Sequence, residues 1–107
     1  MEEILVQRDE QNRIVGLAVR GGEEGSITIM STLQFLRAAV AAMTEYLHID
    51  PDFTVGDEIE LVIDRSDPHL NREIDAIMET LVIGLRTLAT EYPGEAVVHE
   101  ATVGLKV

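Results

Sequence analysis

The 107-residue chain has no cysteine, no tryptophan, only 3 prolines, and 8 Lys and Arg residues against 20 acidic ones. Without cysteine there is no disulfide, no thiolate zinc site and no cysteine nucleophile. With so few basic side chains, scattered among acids, there is no footprint for nucleic acid, whose binding runs through counterion release at grouped Lys and Arg. An anionic membrane surface is disfavoured on the same ground. The formal net charge of −12 keeps the chain soluble and draws in basic peptides or proteins at low salt. Met1-Glu2-Glu3-Ile4 lacks the positive flank and apolar core of a signal peptide, and no apolar run approaches the length of a membrane span. The expected compartment is the cytoplasm.

What is present suffices for one folded domain. A chain of this length carries a single core, and a 46% hydrophobic fraction is too apolar for a disordered acidic tail. Glu3 to Arg8 and Arg13 to Val19 are rich in Ile, Val and Leu and flank Asp9-Glu10-Gln11-Asn12, the pattern of an antiparallel hairpin. Arg20 to Ser26 holds three glycines and no apolar residue, and reads as a loop. Ile27 and Ile29 alternate with Ser26 and Thr28, which suggests a short extended piece. Ser31-Thr32-Leu33-Gln34 matches a capping box. Leu33, Leu36, Val40, Met43 and Leu47 then recur at helical spacing. Beside them runs a second apolar stripe of Phe35, Ala38, Ala39, Ala42 and Tyr46. A helix apolar over so wide an arc is expected to be covered on two sides, the second cover being another subunit.

Ile49 to Asp57, with Pro51 and Gly56, reads as a loop, and Glu58 to Asp64 alternates as a strand with Ile59, Leu61 and Ile63 inward. Asp67-Pro68 starts a second helix whose apolar residues run from Leu70 to Leu88 and which Pro93-Gly94 ends after Tyr92. A last strand from Glu95 to about Val107 places Val97, His99, Ala101, Val103 and Leu105 on one side. The order β-β-α-β-α-β predicts a two-layer α+β domain, with two helices on one face of a small mixed sheet.

The chemical signals are weak. Gly21-Gly22-Glu23-Glu24-Gly25 lacks the Lys-Ser/Thr pair of a phosphate loop and carries two repelling glutamates. Asp50, Asp52, Asp57 and Glu58 have a calcium-loop composition, but counted from Asp50 the sixth and twelfth positions are Val55 and Leu61. His69 and Glu73 share a helical spacing without further ligands, and His99 reads as a core or interface histidine. No metal or cofactor is expected. Ser26, Ser31 and Ser66 sit at turns or caps, with no base at a telling spacing.

The stretch Ile77-Met78-Glu79-Thr80-Leu81-Val82-Ile83-Gly84-Leu85-Arg86, continuing to Tyr92-Pro93, resembles the C-terminal half of the ribosomal-processing cysteine protease family, Prp. The N-terminal half is similar too, through Gln7-Arg8-Asp9-Glu10, Arg13-Ile14-Val15-Gly16, Gly21 and Arg37-Ala38-Ala39-Val40-Ala41-Ala42. The resemblance implies a single Prp-like domain over residues 1–107, a two-layer α+β fold, a homodimer, and a bacterial family that removes the N-terminal extension of a large-subunit ribosomal protein. Its motif places Gly-His at the end of the second strand and a cysteine near the start of the first helix. The matching positions here are Gly22 and Arg37. Glycine takes no proton and arginine stays protonated, so neither catalytic residue is present. The resemblance therefore implies a non-catalytic homologue or dimeric scaffold, with Gly21, Gly22, Glu23, Glu24 and Arg37 around a groove for a basic ribosomal-protein segment. The alternatives are a processing peptidase with a different nucleophile or a metal, and a structural partner of an active relative.

Overall fold

The computed structural model describes residues 1–103. The hairpin forms as expected from β1 (Glu2–Arg8) and β2 (Ile14–Gly21), with Leu5 opposite Ala18. Its turn follows from local chemistry. The Asp9 carboxylate accepts the N–H groups of Gln11 and Arg13, both at 2.9 Å, and Asn12 takes the left-handed conformation at φ 64°. After β2 come α1 (Ile27–Ala41), β3 (Asp52–Val55), β4 (Ile59–Val62), α2 (Asn71–Glu91) and β5 (Ala96–Thr102). The sheet order is β3-β4-β2-β1-β5, and only β1 and β5 pair in parallel.

That order puts both helices on one face. β2 and β3 point the same way with β4 between them, and α1 connects them. β4 and β5 point the opposite way with β2 and β1 between them, and α2 connects those. The two crossovers run in opposite directions along the sheet from strands of opposite direction, so one handedness places both helices on the same side. Between the layers lies one core. Ile4, Val6, Leu17, Val19, Ile59 and Leu61 face Leu36 and Met43 of α1 and Ile74, Met78 and Leu85 of α2, all buried. Each such side chain stabilises the fold by about 1.5–3 kcal/mol relative to exposure. The α+β architecture is the one predicted.

Four local expectations are corrected. The extended piece at Ile27 and Ile29 is instead the first turn of α1, and its cap is Ser26 rather than Ser31: the Ser26 Oγ accepts the N–H of Ile29 at 3.2 Å. The loop at Ile49 to Asp57 contains a fifth strand, β3, a four-residue edge strand hidden in the sequence by flanking Pro51 and Gly56. On β5 the core side is Ala96 and Val98, while His99 is exposed on the outer face of the sheet, so it is no core histidine; Leu105 lies outside the described residues. Finally, Ile27–Tyr46 reaches a mean hydropathy of 1.3 and is long and apolar enough to cross a membrane; here Thr28, Thr32, Leu36, Ala39 and Met43 turn one side of it into the core.

α1 does not end on a glycine. A π turn, Ala42–Tyr46, widens the last turn, and His48 at φ 58° reverses the chain toward β3. α2 begins as expected: the Asp67 carboxylate accepts the His69 N–H at 3.0 Å, and a single 3-10 turn at Pro68–Leu70 leads into the helix. Two arginine clips tie the layers together. Arg65, buried, donates to the Ile14 carbonyl at 2.8 Å and to Asp75 at 2.5 Å. Arg8 donates to both Glu79 oxygens of α2 at 2.6 and 3.1 Å and to Glu100 of β5 at 2.5 Å.

Candidate functional site

The exit of β2, the first turns of α1 and the turn between β3 and β4 enclose a groove of about 490 Å³. Its construction starts with two glycines. Gly21 and Gly22 both have positive φ, 73° and 82°, which turns the chain off the sheet edge toward α1. A Cβ on Gly22 would stand 2.8 Å from Cδ1 of Ile29 and 3.2 Å from Cβ of Glu2. The turn therefore closes down on the helix at a point where only glycine fits without strain.

Ser26 then starts the helix. Its N–H donates to the Glu23 carbonyl at 2.9 Å, and its hydroxyl lies 3.2 Å from that of Thr28. Thr28 and Thr32, four residues apart on the inward face of α1, are both buried. The Thr32 hydroxyl donates to Oε2 of Glu2 at 2.5 Å. Glu2 itself is fully buried at the head of β1, and its Oε1 has no hydrogen-bond partner. A polar cluster thus fills the core below the Gly21-Gly22 turn, beside the positive end of the α1 macrodipole, which favours a carboxylate there.

Of the residues singled out from the sequence, Gly21, Gly22 and Glu24 line the groove, together with Ile29 and Leu33 of α1. Glu23 belongs to the connecting turn beside them. Arg37 does not sit near the helix start. It lies in the third turn of α1, with its guanidinium 6.0 Å from the centre of the Phe53 ring on β3. The first turn holds Thr28 instead. Ile29, Leu33 and Arg37 follow at intervals of four and form one stripe along the helix, so Arg37 lies beyond the groove along its α1 wall. Gly56 and Asp57, on the opposite wall, were missed because their turn joins β4 to a strand that the sequence did not reveal.

Chemically, the wall offers carboxylates, amides and aliphatic surface. None of His48, His69 and His99 lines it. The Ser26 and Thr28 hydroxyls hydrogen-bond each other, Ser26 also accepts the Ile29 N–H, and Thr28 is only 2% exposed. A nucleophile needs both access and an adjacent base, and among the described residues no hydroxyl here has them. The acids of the β3–β4 region and the His69/Glu73 pair do not converge with any third ligand among the described residues.

No family model and no curated protein matches the sequence. Solved structures do. An essential ribosomal processing protease Prp from Staphylococcus aureus, in complex with a substrate peptide, superposes with a TM-score of 0.81 at 18% identity, covering 94% of this chain and 100% of that one. The same protease with a covalently linked product peptide gives 0.80 at 17% identity, covering 94% and 100%. A protein from Streptococcus mutans gives 0.81 at 13% identity, covering 95% of each chain. The fold is that of Prp.

Proposed function

We propose that this chain is a non-catalytic protein on the Prp fold, which holds a basic ribosomal-protein N-terminal segment in the groove beside α1 without cleaving it. The observation that carries the reading is the first turn of α1. The groove is present there, yet the chain has no cysteine, Gly22 stands at a positive φ where any side chain is strained and crowds Ile29, and the hydroxyl in the first turn is buried. The Prp structures hold a substrate peptide and a product peptide, and this reading carries the peptide across while leaving the chemistry behind.

Charge supplies the specificity. Glu24 and Asp57 stand on the groove walls of a chain with a net charge of −12, so a segment bearing Lys and Arg is steered in and held. Arg37, further along the helix, suits a carboxylate or carbonyl at the other end of the bound segment. In this reading the protein works in the bacterial cytoplasm as a homodimer, needing no cofactor or metal.

The test is a calorimetric titration with a peptide spanning the N-terminal extension of a large-subunit ribosomal protein, followed by its intact mass. Binding should be saturable, weaken as salt is raised, and weaken again in Glu24→Lys and Asp57→Lys, with the peptide mass unchanged. Absence of binding at low salt overturns the proposal. Cleavage would point instead to an active peptidase, and the Glu2–Thr32 hydrogen bond, closed off in this conformation, is where its hydroxyl and base would be sought.

A further inference from the structure

The groove beside α1 has two unlike ends. Where β2 leaves the sheet, Glu24 and Asp57 stand on its walls. Val19 pairs with Ile59 and Ile59 with Val55, so the Gly21-Gly22 turn and the β3–β4 turn that carries Asp57 lie at this same end. From there the walls run on together. On α1, Leu33 is followed one turn later by Arg37; on β3, Phe53 stands two residues back from Val55. The walls meet where the Arg37 guanidinium lies 6.0 Å from the centre of the Phe53 ring. Arg37 is also set apart by its partners. Arg8, Arg13, Arg20, Arg65 and Arg86 are each paired with a carboxylate. Among the described residues Arg37 has no such partner, in a chain with 20 acids against 8 basic residues. It is exposed, and contact with a ring face occupies none of its five N–H donors.

We infer that the groove takes a peptide that ends at Arg37: a segment with Lys or Arg in its N-terminal part and a free C-terminal carboxylate seated on the guanidinium. Charge fixes the direction, since acids at one end and a lone cation at the other match a ligand of the opposite order. Geometry fixes the group, since a planar carboxylate accepts two parallel bonds from the arginine fork. The closure of the walls fixes the ending. A chain that runs on past Arg37 meets the Arg37–Phe53 contact, whereas one that stops there places its carboxylate on the guanidinium. From Ile29 to Arg37 the helix rises about 12 Å, the span of three to four extended residues (about 3.3–3.6 Å each), so the basic residues fall about four or more positions before the end. Such a carboxylate is made by hydrolysis of a peptide bond, water giving its hydroxyl to the acyl carbon and its proton to the departing amine. The chain then acts after a peptidase, on a released segment. This inference rests on the groove reading above and adds to it the direction of the bound segment and its free end.

Calorimetric titration of the full chain with three probes tests it: an octapeptide with two lysines in its N-terminal half, apolar residues after them and a free C-terminal carboxylate; its C-terminal amide; and that amide with aspartate in the last place. The free acid should bind about tenfold or more tightly than the amide, and the aspartyl amide should bind like the plain amide. Arg37→Gln should bring the free acid down to the affinity of the amide. It should leave the affinity of the amide itself unchanged, which shows the groove intact. Arg37→Lys keeps a cation over the ring but loses the planar fork, and should retain only part of the preference. Equal binding of acid and amide to the wild-type chain, an aspartyl amide as tight as the acid, or a preference that survives Arg37→Gln overturns the inference and leaves the groove reading standing. Absence of binding by all three peptides overturns the groove reading, and the inference with it.

Discussion

At the scale of single residues, Gly22 and Ser26 decide how the groove is built. Gly22 sits at φ 82° with Ile29 and Glu2 against the missing Cβ, so Gly22→His should restore no activity and should lower stability by about 1–3 kcal/mol, read by denaturant unfolding. Ser26→Ala should cost about 1 kcal/mol as a lost helix cap. Ser31→Ala, inside the helix, should cost little. The sequence read the cap five residues too late. Ile27, Thr28 and Ile29 are β-branched, which suits a strand on propensity alone, whereas the signal for helix was the pair Thr28 and Thr32, four apart and both buried. Arg37 was legible as the one basic residue of α1, but its seat over Phe53 depends on β3 and could not be read.

At the scale of elements, the two helices and the hairpin were legible because their apolar periods are long and their boundaries carry turn residues. β3 was not, since four edge residues between Pro51 and Gly56 give too short a pattern. The long-range clip of Arg8 with Glu79 and Glu100 was equally hidden, because it joins β1, α2 and β5 across the whole chain. The hydrogen bond from Arg8 holds the Glu100 carboxyl below the usual range; burial opposes this, and Arg86 reinforces Arg8. Asp9 is also lowered, its burial being outweighed by hydrogen bonds from Arg13 and Gln11. A depressed carboxyl contributes stability above its unfolded value, about 4.3 for glutamate, and that contribution fades as pH falls through the folded value. Glu100→Gln should therefore flatten the loss of stability below about pH 4.3 and change little of the slope near neutrality. Denaturant midpoints across acid pH would check it, and an unchanged acid slope would show that the clip contributes nothing.

At the scale of the whole molecule, the chain combines the fold of a processing protease with a composition that excludes its thiol chemistry. The strand directions and one handedness place both helices on the same side, which leaves two distinct faces of α1 open: the groove along Ile29 and Leu33, and the apolar face along Phe35 and Ala38. The sequence revealed the layer order and the wide apolar arc, because both follow from periodicity. It did not reveal the groove's far wall, because Gly56 and Asp57 meet α1 only through sheet pairing. The central claim, a groove that binds without cutting, is tested most directly by native mass spectrometry of the purified chain mixed with the ribosomal-protein extension peptide. A complex carrying the peptide at its full mass after prolonged incubation is the predicted result. Shortened peptide that accumulates in proportion to the amount of this protein would contradict it.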